Sequence, residues 1–418
     1  MNIVLLSGIF TPEPIVGAQT ADMMARRLAA TGHKVKVVTA FPSRPAGKLY
    51  PGYKIRLFQK ERHPDGYEII RCFCVPSSKS TMLSRFLENV AFGLSSALYL
   101  LFIPKIDALY ANTWFIFASS LMSVVARLRG IPYVIRVTDL YPESLASQHR
   151  IKTGGWFYRL IQGIDTWNAS GAAHIAVLTY HFSRTYIEER GISAGKISII
   201  PDWVDGYMDC CQPEESSQIR RLFGVPEDAF LAVYGGNIGV AAGVETLIQA
   251  AALLPDIRVI IGGAGSELMA CQALAGKYAP EQVSFFSPWP REQTMPLYQA
   301  ANVLVLTTRG EQSIASIPSK LIGYMLSARP IIAAGLPGSE LARIVEESNC
   351  GWIIPPDNPR ALAQTIAQVM DLSREELCSH GLAGREYALK HLTADVNLPK
   401  LVSIIENLSS GNGRVQNV

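Results

Sequence analysis

This sequence predicts a doubly wound α/β architecture, repeated in two halves. Three observations carry that expectation. Strand-like and helix-like stretches alternate from the second residue onward, and the alternation stops at Pro201-Asp202-Trp203-Val204-Asp205 and then restarts. In the second half, glycines collect just after the strands.

The first half opens with Asn2 to Ser7 as strand, Ala18 to Thr31 as helix with Gly32 as its C-cap, and Lys34 to Ala40 as strand, a βαβ unit. Its intervening loop carries Pro12-Glu13-Pro14 and ends at Gly17, where backbone approaches a ligand closely. Further strands read as Ala108 to Tyr110, Tyr133 to Val137 and His174 to Leu178. The middle one runs into Thr138-Asp139-Leu140-Tyr141-Pro142-Glu143-Ser144 and so places Asp139 at a strand's carboxyl end, where open parallel sheets bind ligands. An aspartate before a proline-containing turn also serves as an ordinary turn or cap carboxylate.

The second alternating set begins with Ala229 to Tyr234 and continues through Val244 to Leu254, Ile257 to Ile261, Leu268 to Tyr278 and Val283 to Phe286. The domains are expected at 1–200, 201–385 and 386–418, the last a helix returning to the first domain, with a ligand cleft between two similar halves. Two glycine turns, Gly235-Gly236-Asn237-Ile238-Gly239 and Gly262-Gly263-Ala264-Gly265, each follow a strand. A third unit consists of the strand Asn302 to Thr308, a polar loop, Ile317-Pro318-Ser319-Lys320, a short helix and the strand Arg329 to Ala334. Proline suits a helix's first turn, and a lysine beside it opposes the macrodipole by about 0.3–1 kcal/mol. A bound phosphate between lysine and amides offsets that cost, although a surface lysine on a crossover helix satisfies the same pattern.

Composition narrows the class. Hydrophobic residues are 49% and charged residues 17%, as in a globular, rather apolar protein. The net charge of +3 conceals a division: residues 1–200 hold 23 Lys+Arg against 12 Asp+Glu, and the remainder holds 15 against 23. The basic half suits an anionic surface such as lipid head groups, and nothing in it has the pattern of a nucleic-acid-binding motif. Seven cysteines without C-x-x-C spacing argue against a disulfide framework or zinc site and fit a reducing cytoplasm. The residues after Met1 read as a first strand and not as a signal peptide. Val90 to Pro104 is apolar but short of a membrane span; flanked by Lys79, Arg85 and Lys105, it suits a helix lying on a membrane surface, or a buried one.

These residues resemble the retaining GT-B glycosyltransferases of family four, in particular the bacterial exopolysaccharide, O-antigen and capsule sugar transferases. The likeness rests on Pro12-Glu13-Pro14 with Gly17, Gly32-His33-Lys34-Val35, Asp139 to Ser144, Ile200 to Asp205, Gly236-Asn237-Ile238-Gly239, and Ile317 to Leu321 with Arg329-Pro330. It implies two Rossmann-like domains facing a cleft, the acceptor in the first and a nucleotide diphosphate sugar in the second, and transfer with retention and without a metal. Asp139, then Glu13, are the catalytic candidates. Gly17, Gly236, Asn237, Gly263, Trp289, Arg309, Ser316, Ile317, Ser319 and Lys320 are the donor-binding candidates, with Arg329 a further cation for phosphate. Trp289 either stacks near the base or packs its loop. The acceptor is expected to be polyprenyl-diphosphate-linked or a saccharide, with the enzyme cytoplasmic and peripheral on the inner face of the plasma membrane. Two family glutamates are missing, with Ala315 and Gly323 in their places and Glu311 out of register. Their loss leaves open a silent partner of a membrane glycosyltransferase, and a sugar-nucleotide epimerase is a third reading.

Overall fold

A computed structural model describes residues 1–44, 46–77, 81–113, 115–147, 150–203, 212–310 and 318–408. It divides into two units, Met1–Pro201 joined by the described chain from Asn397 onward, and Asp202–Val396.

The first unit is built on eight strands: β1 (Asn2–Ser7), β2 (Lys34–Ala40), β3 (Phe58–Arg62), β4 (Glu68–Cys72), β5 (Ala108–Asn112), β6 (Tyr133–Val137), β7 (His174–Val177) and β8 (Ile197–Ile199). Their order is β3-β4-β2-β1-β5-β6-β7-β8, and every pairing is parallel except β3 on β4. Helices cover both faces of the central strands, so Ile3, Val4, Leu5 and Leu6 are all buried in a continuous apolar run. The first helix is Val16–Ala30; Thr31 caps it and Gly32, at φ +86°, takes the left-handed position beyond. The β3–β4 hairpin turns through Gly66 at φ +90°, and charged residues on β3 blunt the sheet edge. The helix Ala394–Asn407 belongs to this unit from Asn397 on. Leu401 and Ile405 are buried, and Glu406 pairs with His33 Nε2 at 2.8 Å. It is preceded by a separate helix, Arg374–His391.

The second unit is a six-stranded parallel sheet: β9 (Phe230–Gly235), β10 (Ile257–Gly262), β11 (Val283–Phe286), β12 (Val303–Leu306), β13 (Ile331–Ala334) and β14 (Gly351–Ile354), in the order β11-β10-β9-β12-β13-β14. The chain steps outward from β9 to β11, then returns to build on the other side of β9. Strand order therefore reverses between β9 and β12, and a crevice opens outside their carboxyl ends. No helix among the described residues is long and apolar enough to cross a membrane.

Candidate functional site

Lys320 stands at that reversal. The helix Ser319–Leu326 follows β12 with Pro318 as its N-cap, so the proline precedes the helix and Lys320 is the second helical residue. The first intrahelical bond runs from Leu321 N–H to the Pro318 carbonyl, leaving the preceding amides at the open end. The lysine ammonium donates to the Tyr234 phenol and lies 4.2 Å from the centre of its ring. Tyr234 in turn donates to the Asn237 carbonyl at 2.7 Å, fixing the first glycine turn. No carboxylate pairs with Lys320 among the described residues. Burial pushes its ammonium down to about 8, so the site holds a partly desolvated cation.

The glycines of the two turns are set by close approach. Gly236 N–H bonds the Gly262 carbonyl and Ile238 N–H the Ala264 carbonyl, each at 2.9 Å, stitching one turn to the other. A Cβ on Gly263, at φ +148°, would lie 1.9 Å from the Gly236 carbonyl oxygen, and one on Gly236 would lie 2.9 Å from Lys320 Cε. Asn237 is exposed at the rim. Behind the strand ends, Tyr324 receives the Gly235 N–H at 2.8 Å and packs edge-on against Tyr298.

Other candidates are placed differently. Arg309 is exposed and ion-pairs with Glu245, so its charge is already answered within the unit. Arg329 precedes β13 at the amino end of the sheet and donates to the Gln299 carbonyl at 2.5 Å; it stands at the edge opposite the crevice and does not meet an anion there. Trp289 packs across Gly235, Gly262 and Tyr298 as a half-buried prop, and its Nε1 has no hydrogen-bond partner. Ser319 is exposed at the first helical position. Ser316 and Ile317, with Glu311 and Ala315, lie outside the described residues. Gly323 sits on the buried side of its helix.

The first unit holds a cavity of about 370 Å³ lined by Asp139 with Tyr141, Phe115, Phe157 and three arginines, Arg44, Arg85 and Arg150. Asp139 follows β6, as its place at a strand's carboxyl end requires. Its loop is docked by a buried network. Arg190 donates to Asp165 at 2.8 Å, to Glu143 at 2.8 Å and to the Tyr141 carbonyl at 2.9 Å. Burial works against the Arg190 charge, and Asp165 and Glu143 outweigh it. Arg44 grips Glu88 at 2.8 and 2.9 Å, and Arg85 joins at 2.9 Å, so one buried carboxylate holds two cations on the cavity wall.

Glu13 has a structural post. It is 4% exposed and accepts the amides of Phe10 at 3.2 Å, Ser43 at 2.9 Å and Arg44 at 2.8 Å, tying the loops after β1 and β2 together. These bonds engage both oxygens, so Glu13 fixes the backbone that carries Arg44. Gly17 is the second residue of the helix Val16–Ala30, in the first unit and not among the second unit's turns. Tyr234 and Arg190 do not stand out in the sequence: the one signal for Tyr234 is its place directly before two glycines, and Arg190 has none nearby because its partners lie 25 and 47 residues away.

Among the described residues no three His, Cys, Asp or Glu side chains converge as a metal site. Two family models match the chain: "Glycosyl transferase 4-like domain" over residues 17–203 and "Glycosyl transferases group 1" over 229–371. The chain is 24% identical over 421 residues to WcaI of Escherichia coli K12, named for colanic acid biosynthesis glycosyl transfer, covering 96% of this chain and 99% of that protein. Solved structures share the fold. Sucrose-phosphate synthase from Thermosynechococcus elongatus superposes with a TM-score of 0.74 at 18% identity, covering 98% of this chain and 100% of that one. HepE of Anabaena, determined with UDP-glucose, gives 0.67 at 16% identity over 98% and 100%. Both units thus carry the sheets of the GT-B class, and the chain belongs to the family-four-like, group 1 glycosyltransferases.

Proposed function

We propose that the enzyme transfers a sugar from a nucleotide diphosphate sugar to a lipid-linked or saccharide acceptor in cell-surface polysaccharide assembly. The observation that carries this is Lys320, a desolvated ammonium without a carboxylate partner among the described residues, at the strand-order reversal of the second unit. Breaking the anomeric C–O bond loads negative charge onto the leaving diphosphate, and a fixed cation there lowers the barrier. In this reading Lys320 and the first-turn amides of Ser319–Leu326 take the diphosphate, the chain of Gly236 and Gly263 makes room for it, and Asn237 borders it. The relatives support the substrate classes: HepE was solved with UDP-glucose and WcaI is named for colanic acid.

The acceptor belongs in the first unit's cavity, where Asp139 orients or deprotonates its hydroxyl. Retention of anomeric configuration and independence of metal ions complete the proposal, along with action at the cytoplasmic face of the membrane. Calorimetry of a panel of UDP-, GDP- and dTDP-sugars tests the donor site. Wild type is expected to bind one of them and Lys320→Ala to lose at least tenfold in affinity while keeping its melting temperature. Undiminished binding by the variant overturns the assignment. Binding of no donor at all by wild type favours the silent-partner alternative instead.

A further inference from the structure

Three helices of the first unit pack side by side: Met82–Phe102 between β4 and β5, Ile116–Arg129 between β5 and β6, and Trp156–Gly171 between β6 and β7. All three connections cross the sheet in the same direction, which for right-handed crossovers puts them on one face. Each leaves an apolar stripe uncovered. Leu83, Leu87, Leu94, Leu98 and Phe102 recur at helical spacing and are exposed, Phe102 at 79%. The second helix adds Val124 and Leu128, and the third adds Trp156, Leu160 and Trp167, with Leu128 75% and Trp156 78% exposed. Soluble surfaces rarely leave that much contiguous apolar area to water unless something covers it.

Charge identifies the cover. The three helices contain two carboxylates, Glu88 and Asp165; both are buried, the first held by Arg44 and Arg85 and the second by Arg190. Around the stripes stand exposed Arg127, Arg159 and Lys105. These helices therefore offer the outside apolar side chains and cations, with no exposed carboxylate. A second copy of the same surface would set cation against cation, whereas an anionic bilayer answers both features at once, and indole rings suit its head-group level. The face also runs into the cavity. Phe86 is 44% exposed and lines it, and Phe157, beside Trp156 at 5.5 Å between ring centres, lines it too.

We infer that this three-helix face docks on an anionic lipid bilayer and that a lipid-borne acceptor slides along it into the cavity of Asp139. The docking surface stands on its own observations; only the acceptor's route rests on the transferase reading. Full-length protein is sedimented with phosphatidylethanolamine–phosphatidylglycerol vesicles and with phosphatidylcholine vesicles. Binding to the anionic vesicles is expected to be about tenfold stronger or more, and to weaken with salt. The double variant Leu94→Glu, Leu98→Glu, both sites exposed and away from the cavity, is expected to lose about tenfold or more of it with an unchanged melting temperature. Leu128→Glu, on the neighbouring helix, is an independent check in case the double variant folds poorly.

Equal sedimentation of the variants, or none by wild type, overturns the inference. So does concentration-dependent dimerisation that the variants abolish without any vesicle binding, which would make the face a contact between copies. Nucleotide-sugar calorimetry on the same preparations separates the two readings: donor binding is expected to be unchanged in these variants. Its absence in wild type would sink the transferase reading and leave the vesicle result standing.

Discussion

Lys320 and Tyr234 form a single device at the carboxyl end of β9. The phenol accepts the ammonium's hydrogen bond, donates its own to the Asn237 carbonyl, and lays its ring beside the charge. A neutral oxygen and a ring face hold a cation in place without cancelling it. That leaves the charge uncancelled and fixes the glycine turn beside it.

The first prediction concerns pH. Burial holds the unliganded Lys320 near 8, and a diphosphate favours the protonated form, so binding takes up a proton when the pH is near or above that value. Nucleotide affinity is therefore flat below about pH 7 and falls as pH rises through 8, by about tenfold at pH 9. Calorimetry at pH 8 in buffers of differing ionisation enthalpy reads the uptake directly. An affinity unchanged between pH 7 and 9 would show that Lys320 does not carry the phosphate charge.

Asp139 and Glu13, paired as candidates by sequence, are expected to separate. Asp139→Asn is predicted to lower kcat by about 10²-fold or more with donor affinity and stability kept, because it lines the acceptor cavity. Glu13→Gln is predicted to cost about 1–3 kcal/mol of stability, because the amide NH2 that replaces one oxygen faces at least one backbone N–H, that of Phe10 when it replaces Oε2, donor against donor. Urea titration beside steady-state kinetics distinguishes the two; a Glu13→Gln enzyme with native stability and no turnover would reverse the assignment.

The pattern of buried parallel strands was legible because it is local. Tyr133–Val137 occupies the same residues as β6, and the apolar runs at β1, β2 and β10 need only their neighbours to be recognised. The β3–β4 hairpin was missed because Gln59, Lys60, Glu61 and Arg62 carry the polarity of an edge strand, which hides strand periodicity. The surroundings of Arg309 and Arg329 were hidden for a related reason. Sequence shows that a cation stands near a turn but not which way the strand runs past it, nor that Glu245, 64 residues earlier, has claimed the charge. The helix start that carries Lys320 was legible because Pro318 marks it whatever the tertiary context.

His174 sets an acid limit on stability. It is 4% exposed on β7, shares a 2.9 Å hydrogen bond with Ser198, and burial lowers its imidazole to about 4. Unfolded, it titrates near 6.5, so between about 6.5 and 4 the unfolded chain binds the extra proton. Stability is then fully present above about pH 6.5 and is lost as pH falls toward 4, by an amount on the order of 3 kcal/mol. Urea midpoints from pH 7.5 to 4.5 measure the slope, and His174→Gln is expected to flatten it. An identical slope in the variant would place the acid sensitivity elsewhere.

Two glycines in the second unit are expected to respond to the same substitution with opposite signs. Gly263 has its Cβ position 1.9 Å from the Gly236 carbonyl oxygen at φ +148°, so Gly263→Ala forces two backbone turns apart and is predicted to cost about 3 kcal/mol or more. Because the displaced turn also carries Gly236 beside Lys320, nucleotide affinity should fall with it. Gly276 lies exposed within the helix Leu268–Tyr278 and has open space where a Cβ would go. Gly276→Ala is therefore predicted to stabilise by about 0.5–1 kcal/mol through helix propensity and a less disordered unfolded chain, leaving nucleotide affinity alone. Thermal melting and calorimetry on both variants check the pair. A Gly263→Ala protein as stable and as tight-binding as wild type would mean that the stitched turns yield freely, and that their closeness does not shape the donor site.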